Sequence, residues 1–157
     1  MKRTSPAVII GLALGGGVVT YLAQLLMQTR GEFIFVPPIS LPVTLFLAAI
    51  AVVLAAIPVR RAVNGKSLKR VDPFYAARVL ALAKATAFVG SMLCGAGGGI
   101  LVFVIARPVA PPLGMVTSSI ALIITAALLA AAGLIAESFC RLPPDDPENE
   151  IAPDVAA

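Results

Sequence analysis

The amino-acid sequence predicts an all-α fold, an integral membrane bundle of four transmembrane helices, and three observations carry that prediction. The first is composition: of 157 residues, 59% are hydrophobic and only 13% are charged, where soluble domains carry about 25% charged residues. A chain this short has too much surface for its volume to hide so many apolar side chains in a globule. The second is the length of the apolar runs. Four windows reach or approach the roughly 20 residues that cross a bilayer's hydrocarbon core. The third is the placement of the 12 Lys and Arg residues, which gather on one side of those windows.

The first window spans residues 6–27. Lys2 and Arg3 precede it as the n-region of a signal peptide would. The apolar stretch is longer than the usual h-region of about 7–15 residues, and no A-x-A cleavage site follows, so the window reads as a retained anchor. The second window, residues 41–57, is entered through Pro37, Pro38 and Pro42 and closed by Pro58, since proline has no N–H to continue a helix.

The connection that follows, "PVRRAVNGKSLKRVDPF", holds Arg60, Arg61, Lys66, Lys69 and Arg70. Such a loop sets topology and rests on anionic headgroups, at about 1 kcal/mol per basic residue near the surface. It has neither interleaved aromatics nor a recognisable binding motif, which argues against nucleic acid as a partner. Its last residues start the third helix, with Asp72 placed to cap it and Pro73 at the first helical position.

The third window covers residues 79–106 and the fourth residues 113–136, with Pro108, Pro111 and Pro112 between them. Pro143, Pro144 and Pro147 prevent further helix. Residues 143–157, "PPDDPENEIAPDVAA", are acidic, proline-rich and too poor in bulky apolar groups to order themselves. They read as a disordered cytoplasmic tail that could fold back on the basic loop.

Basic residues give the direction. Lys2, Arg3, the basic connection, Arg78 and Arg141 lie on one side, against Arg30 and Arg107 on the other. The positive-inside rule places both termini in the cytoplasm, and the expected location is a bacterial plasma membrane.

The stretch "GSMLCGAGGGILVFVIA", residues 90–106, poses the one question about chemistry. A dinucleotide fingerprint needs G-x-G-x-x-G after a strand; Gly95 and Gly97 begin one, but Ile100 stands where the third glycine belongs. Apolar residues also continue on both sides for the length of a span. The glycines therefore read as packing positions. At about 100° per residue, Ala77, Ala81, Lys84, Phe88, Ser91, Gly95 and Gly98 share a stripe on the third helix. The first helix repeats the pattern with Ala7, Gly11 and Gly15, and the fourth with Ser119, Ala126, Ala130, Gly133 and Glu137. Small faces let membrane helices approach closely, so the expectation is a tight bundle with a helix-packing face at Gly11, Gly15, Ser91, Gly95 and Gly98.

Two ionisable groups fall within the spans. Lys84 lies about 18 Å along the third helix from Asp72, shallow enough for its stem to snorkel, and Glu137 ends the fourth helix on the same side. A Lys84–Glu137 or Arg78–Glu137 pair between adjacent helices is expected. With no His in the chain and most carboxylates in the tail, no catalytic constellation, cofactor site or metal site can be assembled. Cys94 and Cys140 lie at different depths and do not suggest a disulfide.

"VDPFYAARVLALAKA" followed by a glycine-rich span, the closing "CRLPPDD" and the opening "MKRTSP" resemble an actinobacterial membrane-protein family classed as domain of unknown function 3180. The resemblance implies a small four-span plasma-membrane protein whose genes often stand beside folate-biosynthesis genes. It places Asp72, Pro73, Arg78, Arg141, Pro143 and Pro144 in recurring motifs. The family has no established activity, so it assigns no functional residues.

These features favour a non-enzymatic structural or assembly protein, in contact with the lipid bilayer and with a membrane-protein partner or a second copy of itself. The alternative is a small oligomeric transporter or channel. Against it, the deep membrane carries no ionisable residues, although the midplane glycines are compatible with a broken helix.

Overall fold

The computed structural model describes residues 5–31, 37–63, 73–107 and 113–139. Four helices account for nearly all of them: α1 (Pro6–Thr29), α2 (Ser40–Val63), α3 (Pro73–Ile105) and α4 (Leu113–Phe139). No strand occurs among the described residues. All four helices are long and apolar enough to cross a membrane, so by length and composition the chain is a multi-pass membrane protein. Residues 143–157, expected as a tail, lie outside the described residues, as do Lys2, Arg3, Asp72 and Arg141.

Local chemistry sets the helix ends. Pro6 and Pro73 occupy first positions of α1 and α3, where the missing N–H has no intrahelical partner to lose. The end of α1 is closed by Arg30 N–H donating to the Met27 carbonyl and Gly31 N–H to that of Gln28, each at 3.1 Å. That turn requires Gly31 to adopt φ +73°, a left-handed conformation available to glycine at little cost.

Two boundaries differ from the apolar windows. Pro58, expected to close the second span, lies inside α2, which continues to Val63. Its missing N–H would have paired with the Leu54 carbonyl; the adjacent carbonyl, that of Ala55, accepts a hydrogen bond from the Tyr75 hydroxyl at 3.4 Å. Helix α3 likewise begins at Pro73, before its apolar window. Hydropathy marks where a helix enters hydrocarbon, whereas backbone hydrogen bonding carries it on into the interface.

The helices form an open row in the order α1, α3, α4, α2. Helices α3 and α4 pack antiparallel along the centre, α1 lies against α3, and α2 lies against α4. Among the described residues α1 touches neither α2 nor α4. Helix α2 reaches α3 near one end only, where Val52, Ala56 and Val59 cluster with Val79, Ala83 and Ala136. The tight bundle expected from the small faces is thus corrected to a row. Only 11% of the apolar window of α1 is buried, against 44% for α4, which makes α1 peripheral and α4 central.

The contacts also fix direction. Gly16 of α1 meets Met92, and Gly17 meets Gly95 and Gly99, so α1 and α3 run parallel. Ala49 packs with Leu129 and Ala132, and Val59 with Ala136, so α2 runs parallel to α4. The start of α1, the end of α2, the start of α3 and the end of α4 therefore share one end of the row. Arg60, Arg61 and Arg78 stand at this basic end, and Arg30 and Arg107 at the opposite one.

Four hydroxyl groups inside the spans are satisfied locally. Ser91, Ser118, Ser119 and Thr125 each donate to a carbonyl three or four residues back. In hydrocarbon an unsatisfied hydroxyl costs several kcal/mol, and back-bonding within the helix avoids that cost.

Candidate functional site

The close helix approaches are made by glycines, but in a register only partly matching the predicted face. A side chain at Gly95 would run into the Ala13 backbone, one at Gly16 into the Met92 carbonyl, and one at Gly99 into the Gly17 carbonyl. On the other side of α3, a Cβ at Gly90 would lie 2.5 Å from Ala130 N and 2.9 Å from Ala126 O. A Cβ at Gly133 would lie 2.6 Å from Ala87 N and 2.7 Å from Ala83 O. Such separations leave no room for a side chain, so backbone meets backbone along both seams.

Of the predicted packing positions, Gly95 sits in the α1–α3 seam, and Ser91 is 2% exposed. Gly11, Gly15 and Gly98 have nothing within 4 Å of an added Cβ; their place in the seams is corrected to Gly16, Gly17, Gly90, Gly97 and Gly99. Of the α4 face read from Ser119, Ala126, Ala130, Gly133 and Glu137, all are buried except the half-buried Ala130, and Ala126, Ala130 and Gly133 meet α3 along it. With glycines nearly all round α3 and in a triplet in α1, periodicity offered several registers. Only the partner backbone selects one.

Beside the α1–α3 seam runs a lateral groove of about 570 Å³, lined by residues that include Ala13, Gly17, Tyr21, Gly95, Gly98 and Val102. Cys94, a free thiol, also lies on its wall. A smaller groove of about 340 Å³ lies between α2 and α4, with Phe46, Ala49, Val53 and Leu128 among its walls. Both linings are almost wholly apolar.

An aromatic and basic cluster marks the upper end of the larger groove, away from the basic end. Tyr21 meets Phe103 edge to face with ring centroids 6.0 Å apart, and the Arg107 guanidinium carbon lies 5.2 Å from the Phe103 centroid. The sequence reading missed this cluster, although Phe103 and Arg107 stand one turn apart, the spacing at which helical side chains meet. Gln24, one turn beyond Tyr21, is 3% exposed.

The predicted ionisable residues come to one level at the basic end. Ala136 packs with Val79 and Ala83, which brings Glu137 to the turn of α3 that precedes Lys84. Glu137 is 5% exposed, Lys84 is half-buried and Arg78 is exposed. Lys84 and Glu137 are both engaged by partner groups. At the same end the Arg60 guanidinium carbon sits 4.2 Å from the Phe139 ring centroid, fastening α2 to α4. Arg61 is exposed; Lys66, Lys69 and Arg70 lie outside the described residues. No group of three His, Cys, Asp or Glu side chains occurs among the described residues.

Comparison with known proteins gives one match. The family described as a protein of unknown function, DUF3180, matches over residues 9–144. No curated protein and no solved structure matches the chain.

Proposed function

The chain belongs to the DUF3180 family, and from that premise we propose that it is a non-catalytic assembly protein of the plasma membrane, one that holds another membrane protein or a second copy of itself through its helix faces. The observation that carries this reading is the open row. A helix attached along one side only, as α1 is, leaves most of its surface to the membrane or to a partner. Gly11 and Gly15, one turn apart with space around them, would let a neighbouring backbone approach that surface closely.

The polar chemistry points the same way. A transport path needs polar groups free to exchange ligands near the midplane. Here the buried hydroxyls of Ser91, Ser118 and Ser119 donate to their own helices, and the two grooves are apolar. The direction that goes with the proposal puts the basic end, and with it both termini, in the cytoplasm.

The test is affinity purification of the tagged protein from its native membranes in mild detergent, with quantitative mass spectrometry. The assembly reading expects a stoichiometric partner or a stable homo-oligomer that Gly11→Leu and Gly15→Leu dissociate. A monodisperse oligomer untouched by both substitutions, and stabilised by a small solute, would replace it with the transporter reading.

A further inference from the structure

We propose that the groove between α1 and α3 binds one acyl chain of an anionic phospholipid, with the headgroup phosphate held by Arg107. The proposal does not rest on the assembly reading, although the outer wall of the groove at Val18 and Leu22 adjoins Gly11 and Gly15 on the surface of α1.

The groove faces hydrocarbon, and an empty space of about 570 Å³ would forfeit dispersion contacts along its whole wall. Its dimensions select the occupant. On α1 the lining extends from Ile10 to Leu22, about 18 Å at 1.5 Å per residue. The hydrocarbon core is about 30 Å thick, and residues 10–22 lie at the middle of the 6–27 window, so one extended tail hung from the Arg107 end runs down the groove and just past the midplane. A single lipid tail therefore fills the groove from end to end, whereas a transmembrane helix would need a seat about twice as long. The floor at Gly98 and Gly99 keeps the groove deep, since neither carries a side chain to fill it.

Charge and aromatic geometry supply the headgroup end. Val102 and Tyr21 form the upper wall, and Tyr21 leads through Phe103 to Arg107. Arg107 follows the last turn of α3 by two residues, at the depth where tails give way to headgroups. A ring accepts none of the guanidinium's N–H groups as an ordinary hydrogen-bond acceptor would, so Arg107 keeps donors for phosphate oxygens, which arginine grips in pairs. Arg30, exposed at the end of α1, adds a second positive charge at the same end.

The test titrates the full-length protein in detergent with phosphatidylglycerol and with phosphatidylcholine of identical tails, read by native mass spectrometry. Both lipids carry the phosphate, but the choline cation of phosphatidylcholine would stand beside Arg107 and Arg30, so the wild type is expected to bind one phosphatidylglycerol about tenfold more tightly than phosphatidylcholine. Arg107→Gln should abolish that preference. Gly98→Leu, which fills the groove from a position with open space around it, should weaken both lipids. Gly114→Leu, equally open but on α4, should change neither. A second readout needs no groove variant. The chain has two Tyr and no Trp, so in Tyr75→Phe protein Tyr21 fluorescence reports the groove. Phosphatidylglycerol with brominated tails should quench it and saturate near one equivalent. Equal binding of the two lipids by wild type, equal effects of Gly98→Leu and Gly114→Leu, or no quenching of Tyr21 would each overturn the proposal. So would a Gly98→Leu protein that loses a dimer while keeping its lipid, because the groove would then belong to a second copy.

Discussion

Replacing Gly133 by Ala is the sharpest perturbation of the central seam. The new Cβ would stand 2.6 Å from Ala87 N, 2.7 Å from Ala83 O and 2.9 Å from Thr86 Oγ1. Carbon contacts are comfortable near 3.5–4.0 Å, so α3 and α4 must separate locally by roughly 1 Å. Two of the three atoms are backbone and cannot rotate away. The third is held by hydrogen bonds to the Leu82 and Ala83 carbonyls at 3.0 and 2.9 Å. Overpacking of this kind costs about 1–3 kcal/mol. Removing a mid-helix glycine returns about 0.5–1 kcal/mol of conformational entropy, so a single variant would mix two effects of opposite sign. Gly98→Ala provides the reference, because it carries the same entropy gain at a site with nothing within 4 Å. The difference between the two variants isolates the steric term, expected at about 1–3 kcal/mol, or roughly 5- to 150-fold in the folded-to-unfolded ratio. Reversible unfolding in dodecylmaltoside by added dodecyl sulfate, followed by circular dichroism, measures it. If Gly133→Ala proves as stable as Gly98→Ala, the backbone-to-backbone seam described here is wrong.

Three further outcomes follow from the same geometry. Glu137→Gln and Lys84→Met, combined in a double-mutant cycle in the same unfolding assay, should couple by more than about 0.5 kcal/mol; additive losses would dissolve the pair. Tyr21→Leu removes the edge-to-face contact with Phe103 and should lower stability by about 0.5–1.5 kcal/mol, with the loss confined to α1 in hydrogen exchange. For topology, in a chain carrying Cys94→Ser and Cys140→Ser, Arg30→Cys should react with an impermeant maleimide on intact cells, and Lys66→Cys only after lysis. The reverse pattern would invert the orientation.

The number of helices and their approximate spans were legible because hydropathy over about 20 residues has few competing explanations in a short chain. Register was less so. On α4 the face holding Ala126, Gly133 and Glu137 could be read directly, since small residues there alternate with Leu and Ile at helical spacing. On α1 and α3 the glycines stand side by side, and the triplet at residues 15–17 contains both a seam position, Gly16, and an open one, Gly15. No periodicity distinguishes neighbours that are both glycine. Pro58 misled for a different reason: proline removes one donor without by itself ending a helix, and α2 continues through it to Val63. The cluster of Tyr21, Phe103 and Arg107 depends on the parallel docking of α1 on α3, which is a tertiary fact with no trace in either helix alone.

The order of the row has a consequence for how the chain is made. Helices α1 and α2 emerge first from the ribosome, yet among the described residues they share no contact. Helix α1 finds its seat when α3 arrives, whereas α2 must wait for α4, which supplies most of its contacts. Until α3 is made the nascent chain holds two solitary helices, one of which exposes glycine backbone to lipid. The α1–α3 seam can then close while α4 is still being synthesised. Assembly is therefore ordered, with α1–α3 as the first native pair and α2 the last helix to be seated.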